Sequence, residues 1–115
     1  MILDITTDGV KESYELTSSF EPGKITFKDP NADATVAVYF RLNEVLIRRE
    51  GEITSQEPFL LNQTTMGYYR QDGITFKTVI KTKHLIINQT LIKIEYEHTI
   101  EGLKTCKTLE LSLFI

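Results

Sequence analysis

Residues Val45–Tyr96 read VLIRREGEITSQEPFLLNQTTMGYYRQDGITFKTVIKTKHLIINQTLIKIEY, and this stretch decides the fold. Ile, Val, Thr and Tyr are abundant and Ala is scarce. The apolar residues return at every second position, the period of strands with one buried face. A run of strands this long must hide its edges, and closing the sheet on itself does so without any covering element. The expected fold is all-β, an antiparallel up-and-down barrel of about eight to ten strands with no helix.

Outward from this stretch the turns set the boundaries. Asp72–Gly73 joins Met66–Gln71 to Ile74–Thr82, and Asp8–Gly9 joins Met1–Thr7 to Val10–Ser19. Both pairs suit a type I′ turn, whose two central residues need positive φ. Gly23–Lys28 alternates around Ile25 and Phe27 until Asp29–Pro30–Asn31 stops it, because Pro30 has no amide hydrogen for a ladder. Thr35–Arg41 sets Val36, Val38 and Phe40 on one face, and Leu42–Asn43–Glu44 turns into Val45–Glu50. Gly51 permits a reversal, and no strand is assigned between it and Pro58. Leu85–Ile87 reads as a short strand. Leu91–Thr99 places Ile92, Ile94, Tyr96 and His98 inward. Glu101–Gly102 turns into Leu103–Phe114, whose Leu109, Leu111 and Leu113 continue the apolar face.

The chain has 115 residues, 41% of them apolar and 25% charged. It reads as one domain over 1–115, burying roughly 65% of the surface its unfolded chain exposes. A net charge of −3 argues against a nucleic-acid binder, which needs surplus Lys and Arg to neutralise phosphates. The opening MILDITTDGV carries Asp4 within its apolar patch and has no basic or long apolar leader region, so a cytoplasmic protein is expected. No run approaches the roughly 20 apolar residues of a membrane helix. Cys106 is the single cysteine, which fits a reducing compartment.

The candidate site residues face the expected interior. Arg49 shares parity with Val45 and Ile47, so its guanidinium needs a carboxylate or several carbonyls. It reads either as an anchor for an anion in the barrel mouth or as half of a structural ion pair with Glu12; the second is the commoner arrangement. Thr65, Tyr69, Thr82 and Tyr96 would line a lumen and offer hydroxyls to a ligand, or simply pack on the pleated face. Glu95 and Glu97 share the outer face and read as solvated charge, as do Lys77, Lys81, Lys83, His84 and Lys93. His84, His98 and Cys106 have no metal-ligand spacing, so neither metal nor cofactor is expected. A Cys106–His98 nucleophile pair lacks an orienting third group and has the two side chains on opposite parities. Asn62–Gln63–Thr64 and Asn88–Gln89–Thr90 are loop residues whose flanks do not repeat.

The succession Arg49–Glu50–Gly51, Phe59, Thr65–Met66–Gly67–Tyr68–Tyr69, Gly73, Thr82–Lys83–His84–Leu85 and Ile92–Lys93–Ile94–Glu95–Tyr96 resembles the YwiB-like family of small bacterial proteins. That family is a domain of unknown function with a calycin-type, lipocalin-like β-barrel. The resemblance runs from Val45 to the end of the chain and is carried by R-x-G, T-x-x-x-Y, T-x-x-L and I-x-I-x-Y. The Gly-x-Trp of secreted lipocalins is excluded, because the chain has no Trp. The resemblance implies the fold and no activity. The functional expectation is a non-enzymatic binding module whose lumen takes a small apolar or amphipathic molecule, with no nucleic-acid or membrane partner. The alternative is a protein-interaction or structural module that uses its outer surface or a sheet edge, as a homodimer.

Overall fold

Asp8, Asp72 and Glu101 take φ of 46°, 54° and 50°, and the glycine after each is also positive at 88°, 77° and 76°. Three tight reversals therefore form where the sequence places them. The computed structural model describes residues 1–113 and contains eleven strands. They are β1 Ile2–Thr7, β2 Val10–Glu15, β3 Ser18–Glu21, β4 Lys24–Lys28, β5 Ala34–Arg41, β6 Glu44–Gly51, β7 Ile53–Leu60, β8 Thr64–Gln71, β9 Ile74–Ile87, β10 Leu91–Ile100 and β11 Leu103–Ser112. No described residue is helical, so no helix is long and apolar enough to cross a membrane. All eleven join one antiparallel sheet in the order β2-β1-β11-β10-β9-β8-β7-β6-β5-β4-β3. Strands consecutive in sequence pair throughout except β2 and β3, and the β1/β11 ladder joins the first described strand to the last.

The row ends on β2 and β3, which are consecutive in sequence and joined by Leu16 and Thr17 with no turn between them. Tyr14 pairs with buried Leu3, and Phe20, itself exposed, with buried Ile25, so even-numbered residues share the core-side parity on both sides of the joint. Met1 and Leu16 exchange backbone bonds at 3.2 and 2.9 Å. Even-numbered residues of β2 therefore turn their backbone groups to β1. Across the two-residue Pro22–Gly23 turn, Glu21 faces Lys24, so it is the odd-numbered residues of β3 that turn to β4. The Val10–Ser19 strand is thus one bent strand that takes β1 on one flank and β4 on the other. That bend closes the barrel, and it leaves the outer flank of β2 without a ladder.

Three local readings change. The strand count rises to eleven because the bent strand contributes two ladders and because β7 fills the segment between Gly51 and Pro58. Pro58 is tolerated there because the β7/β8 ladder ends at the Gln56/Tyr68 pair, so no bond awaits its missing amide. Leu85–Ile87 is the end of the 14-residue β9. A bulge pairs Glu95 with His84 but Tyr96 with Thr82, and the extra residue, Lys83, lets both Thr82 and Leu85 face inward. Of the expected last strand, Phe114 lies outside the described residues.

One apolar cluster fills the interior. Leu3, Ile25, Val36, Val38, Val45, Ile47, Phe59, Ile80, Ile92, Ile94 and Leu111 are almost fully buried in it. At roughly 2 kcal/mol for each large side chain removed from water, this cluster supplies most of the drive to fold.

Candidate functional site

The interior is not uniformly apolar. Ser55, Glu57, Thr78 and Thr82 are buried among the hydrophobic residues, and Asp29, Arg49 and His98 reach the same space. Arg49 comes in from β6 on the inward parity of Val45 and Ile47. Its Nε donates to Asp29 Oδ2 at 3.2 Å, and its Nη1 lies 3.4 Å from Ser55 Oγ and 3.8 Å from Glu57 Oε1. Glu57 Oε2 in turn lies 2.7 Å from His98 Nε2. The result is a chain of polar contacts, Asp29–Arg49–Glu57–His98, drawn from the β4–β5 loop and from β6, β7 and β10. The Asp29 and Glu57 side chains are only 10% and 12% exposed. Carboxylates so withdrawn from water need the guanidinium they face.

Arg49 therefore has an ion-pair partner, but it is not Glu12. The Glu12 side chain is exposed and accepts the Tyr14 hydroxyl, whose oxygen also lies 3.1 Å from Asn31 Oδ1. Tyr14 thereby ties β2 to the β4–β5 loop at the joint of the barrel. Burial pushes the Tyr96 phenol up, the Glu57 carboxylate adds to this, and the Arg49 guanidinium opposes it. Tyr96 stays a neutral ring packed edge-on to Phe59, centroids 4.8 Å apart.

A cavity of about 280 Å³ lies beside this network. Its walls are Leu3, Ile5, Phe27, Val36, Val38, Ile47, Leu109 and Leu111, and its polar lining includes Glu12, Asp29, Arg49 and Lys107. Its lining also takes in Pro30, Asn31 and Ala32 of the β4–β5 loop, and of the lining residues Glu12 of β2 and Asn31 are exposed, so the cavity meets the surface beside β2. Mostly apolar walls with a few convergent polar groups are what small-molecule sites share.

All five expected lumen residues face inward, but only Arg49 lines this cavity. Thr65 is spent on the backbone, its hydroxyl donating to the Pro58 carbonyl at 2.5 Å. Tyr69 pairs with Ser55 across β7/β8 and donates to Gln71 Oε1 at 3.1 Å. Thr82 and Tyr96 are buried in the packed half of the interior. Sequence reasoning missed Asp29, Glu57 and Lys107, and gave His98 no part in this network. Lys107 could have been found, since it shares parity with Leu109 and Leu111.

The hydroxyls of Thr82 and of Thr78 on the same strand have no hydrogen-bond partner among the described residues. An unpaired buried hydroxyl costs about 1–3 kcal/mol. Thr82→Val is therefore expected to be neutral or to raise stability by about 1 kcal/mol in urea unfolding. A loss of similar size would mean that Thr82 holds a bound molecule.

The outer face is settled by its own pairs. Lys83 and Lys104 lie 2.7 and 3.2 Å from Glu97, and together they hold its carboxyl below the ordinary value. Lys93 and His84 flank Glu95 at 3.6 and 3.9 Å. Cys106 is exposed on this face opposite Glu97, whereas His98 points inward opposite Thr105, so the two are not brought together. No group of His, Cys, Asp and Glu among the described residues is placed to hold a metal ion.

Residues 4–112 match the profile of a family described as "Domain of unknown function (DUF1934)". The match takes in the first third of the chain, which the sequence resemblance leaves out. The crystal structure of the ywiB protein from Bacillus subtilis aligns with a TM-score of 0.61 at 15% identity, covering 98% of this chain and 91% of that one. A likeness at that identity carries the fold alone. No curated protein matches the chain.

Proposed function

Because the chain belongs to the family of the domain of unknown function DUF1934, whose description assigns no activity, we propose from the site itself that the protein is a non-enzymatic binding module. Its lumen holds a small amphipathic molecule. The observation that carries this reading is the cavity of about 280 Å³, apolar on its walls and charged at one side, which meets the surface beside β2. The single exposed cysteine, Cys106, supports a reducing, cytoplasmic setting for this role.

The test is a thermal-shift series with six- to twelve-carbon carboxylates, alcohols and amines. At about a hundred times its Kd, a lumen ligand raises the melting temperature by on the order of 5 °C or more. No shift from any member of the series would reduce the lumen to a packing defect. A second reading is supported by the outer flank of β2, where Lys11, Ser13 and Glu15 carry backbone groups outside any ladder. It predicts a homodimer, seen in light scattering as a concentration-dependent mass that filling the lumen does not change.

A further inference from the structure

We infer that the lumen selects its guest by one anionic group, received by Lys107, with the guest's apolar body lying against the leucine, valine and isoleucine walls. The inference rests on the reading of the lumen as a binding site and adds the chemistry of what it accepts.

The charges at the cavity are otherwise accounted for. Asp29 takes the Arg49 Nε at 3.2 Å and the Asn31 amide at 2.8 Å. Glu12 takes the Tyr14 hydroxyl, and Glu57, just behind, lies between Arg49 and His98. Lys107 is half-buried and lines the same cavity, and its ammonium has neither an ion pair nor a hydrogen bond among the described residues. On the outer face Lys83 and Lys104 both reach Glu97 and Lys93 reaches Glu95, whereas Lys77 and Lys81, which have no ion pair among the described residues, are exposed to water as Lys107 is not.

Placement strengthens the point. Lys107 sits on β11 opposite Tyr96 of β10 and Thr7 of β1, with the inward parity of Leu109 and Leu111 and on the strand next to the one that carries His98. Partial burial of an ammonium without a partner is unfavourable, and an arriving anion reverses that. Arg49 adds to the same end, because its Nη2 has no partner among the described residues while Nε and Nη1 are engaged. The cavity also bounds the guest. At roughly 30 Å³ for each water-sized guest atom, 280 Å³ takes a molecule of on the order of nine heavy atoms, the size of octanoate.

The experiment is calorimetric titration of octanoate, octanol and octylamine into the wild-type protein and into Lys107→Met and Lys107→Arg, with melting curves to confirm folding. Octanoate is expected to bind at least about tenfold more tightly than octanol or octylamine. Lys107→Met should bring octanoate down to the octanol affinity while leaving octanol within about twofold, and Lys107→Arg should keep the preference. Equal binding of the three probes by the wild type, or a preference that survives Lys107→Met, overturns the inference and leaves the binding module standing. If none of the three binds, the inference fails together with that reading. A lysine whose stem merely covers apolar surface while its head stays in water would leave the selectivity unchanged.

Discussion

Gly67→Ala lowers the stability of the barrel by about 3 kcal/mol or more, a large fraction of what a domain of this size has. A Cβ at this position would stand 2.4 Å from the Gln56 carbonyl oxygen, 2.9 Å from Thr78 Oγ1 and 3.2 Å from Glu57 Cα. Two of these neighbours are backbone atoms. They cannot step aside as a flexible side chain would, since β7 is held by its ladder to β6 and β8 by its ladder to β9. The close approach occurs where the β7/β8 ladder ends and Glu57 turns into the interior. Relief would require parting two strands and shifting the carboxylate that meets Arg49 and His98. Urea denaturation measures the loss. A variant within about 1 kcal/mol of the wild type would show that β7 and β8 separate easily, and Thr78→Ala should not rescue it because the Gln56 carbonyl remains in place.

Arg49→Met is expected to cost about 3–5 kcal/mol, because it takes the guanidinium from two carboxylates that have little contact with water, leaving Glu57 only His98 and Asp29 only the Asn31 amide. The side chain itself is only 23% exposed, so solvent does little to screen its partners. Most of the loss should be removed by adding Asp29→Asn and Glu57→Gln, which keep the shapes and discharge the groups. The measurement is the unfolding free energy of the single and triple variants at neutral pH. A neutral or stabilising Arg49→Met would mean that Asp29 and Glu57 are solvated in solution, and would weaken the case that this end of the lumen is built for charge.

What the sequence discloses and what it hides follow one physical line. Period-two alternation and Asp-Gly turns are local, so β1, β4, β5, β6, β8, β10 and the start of β9 can be read directly. β7 is hidden because its inward positions include Ser55 and Glu57 and an outward one is Pro58, a pattern that no apolar alternation marks. The β9 bulge is equally silent, since an extra residue at Lys83 shows only against its partner strand. The site divides in the same way. Inward orientation is correct for Arg49, Thr65, Tyr69, Thr82 and Tyr96, because parity is a property of each strand. Which of them meets the cavity depends on curvature. Glu57 and His98 are 41 residues apart, and Asp29 sits in a turn whose proline and asparagine explain its presence without any role inside.

The β1/β11 ladder has a consequence for how the protein is made. Asp8 accepts the backbone amide of Cys106 across 98 residues, and every register from Ile2/Ser112 to Thr7/Lys107 spans the chain. On the ribosome the β1–β2 hairpin emerges before β11, the strand that β1 pairs with, because β11 follows the other ten described strands in the sequence. Loop closure of this length is a slow step. Until it happens, β1 keeps a row of unpaired backbone groups on the flank that β11 later takes.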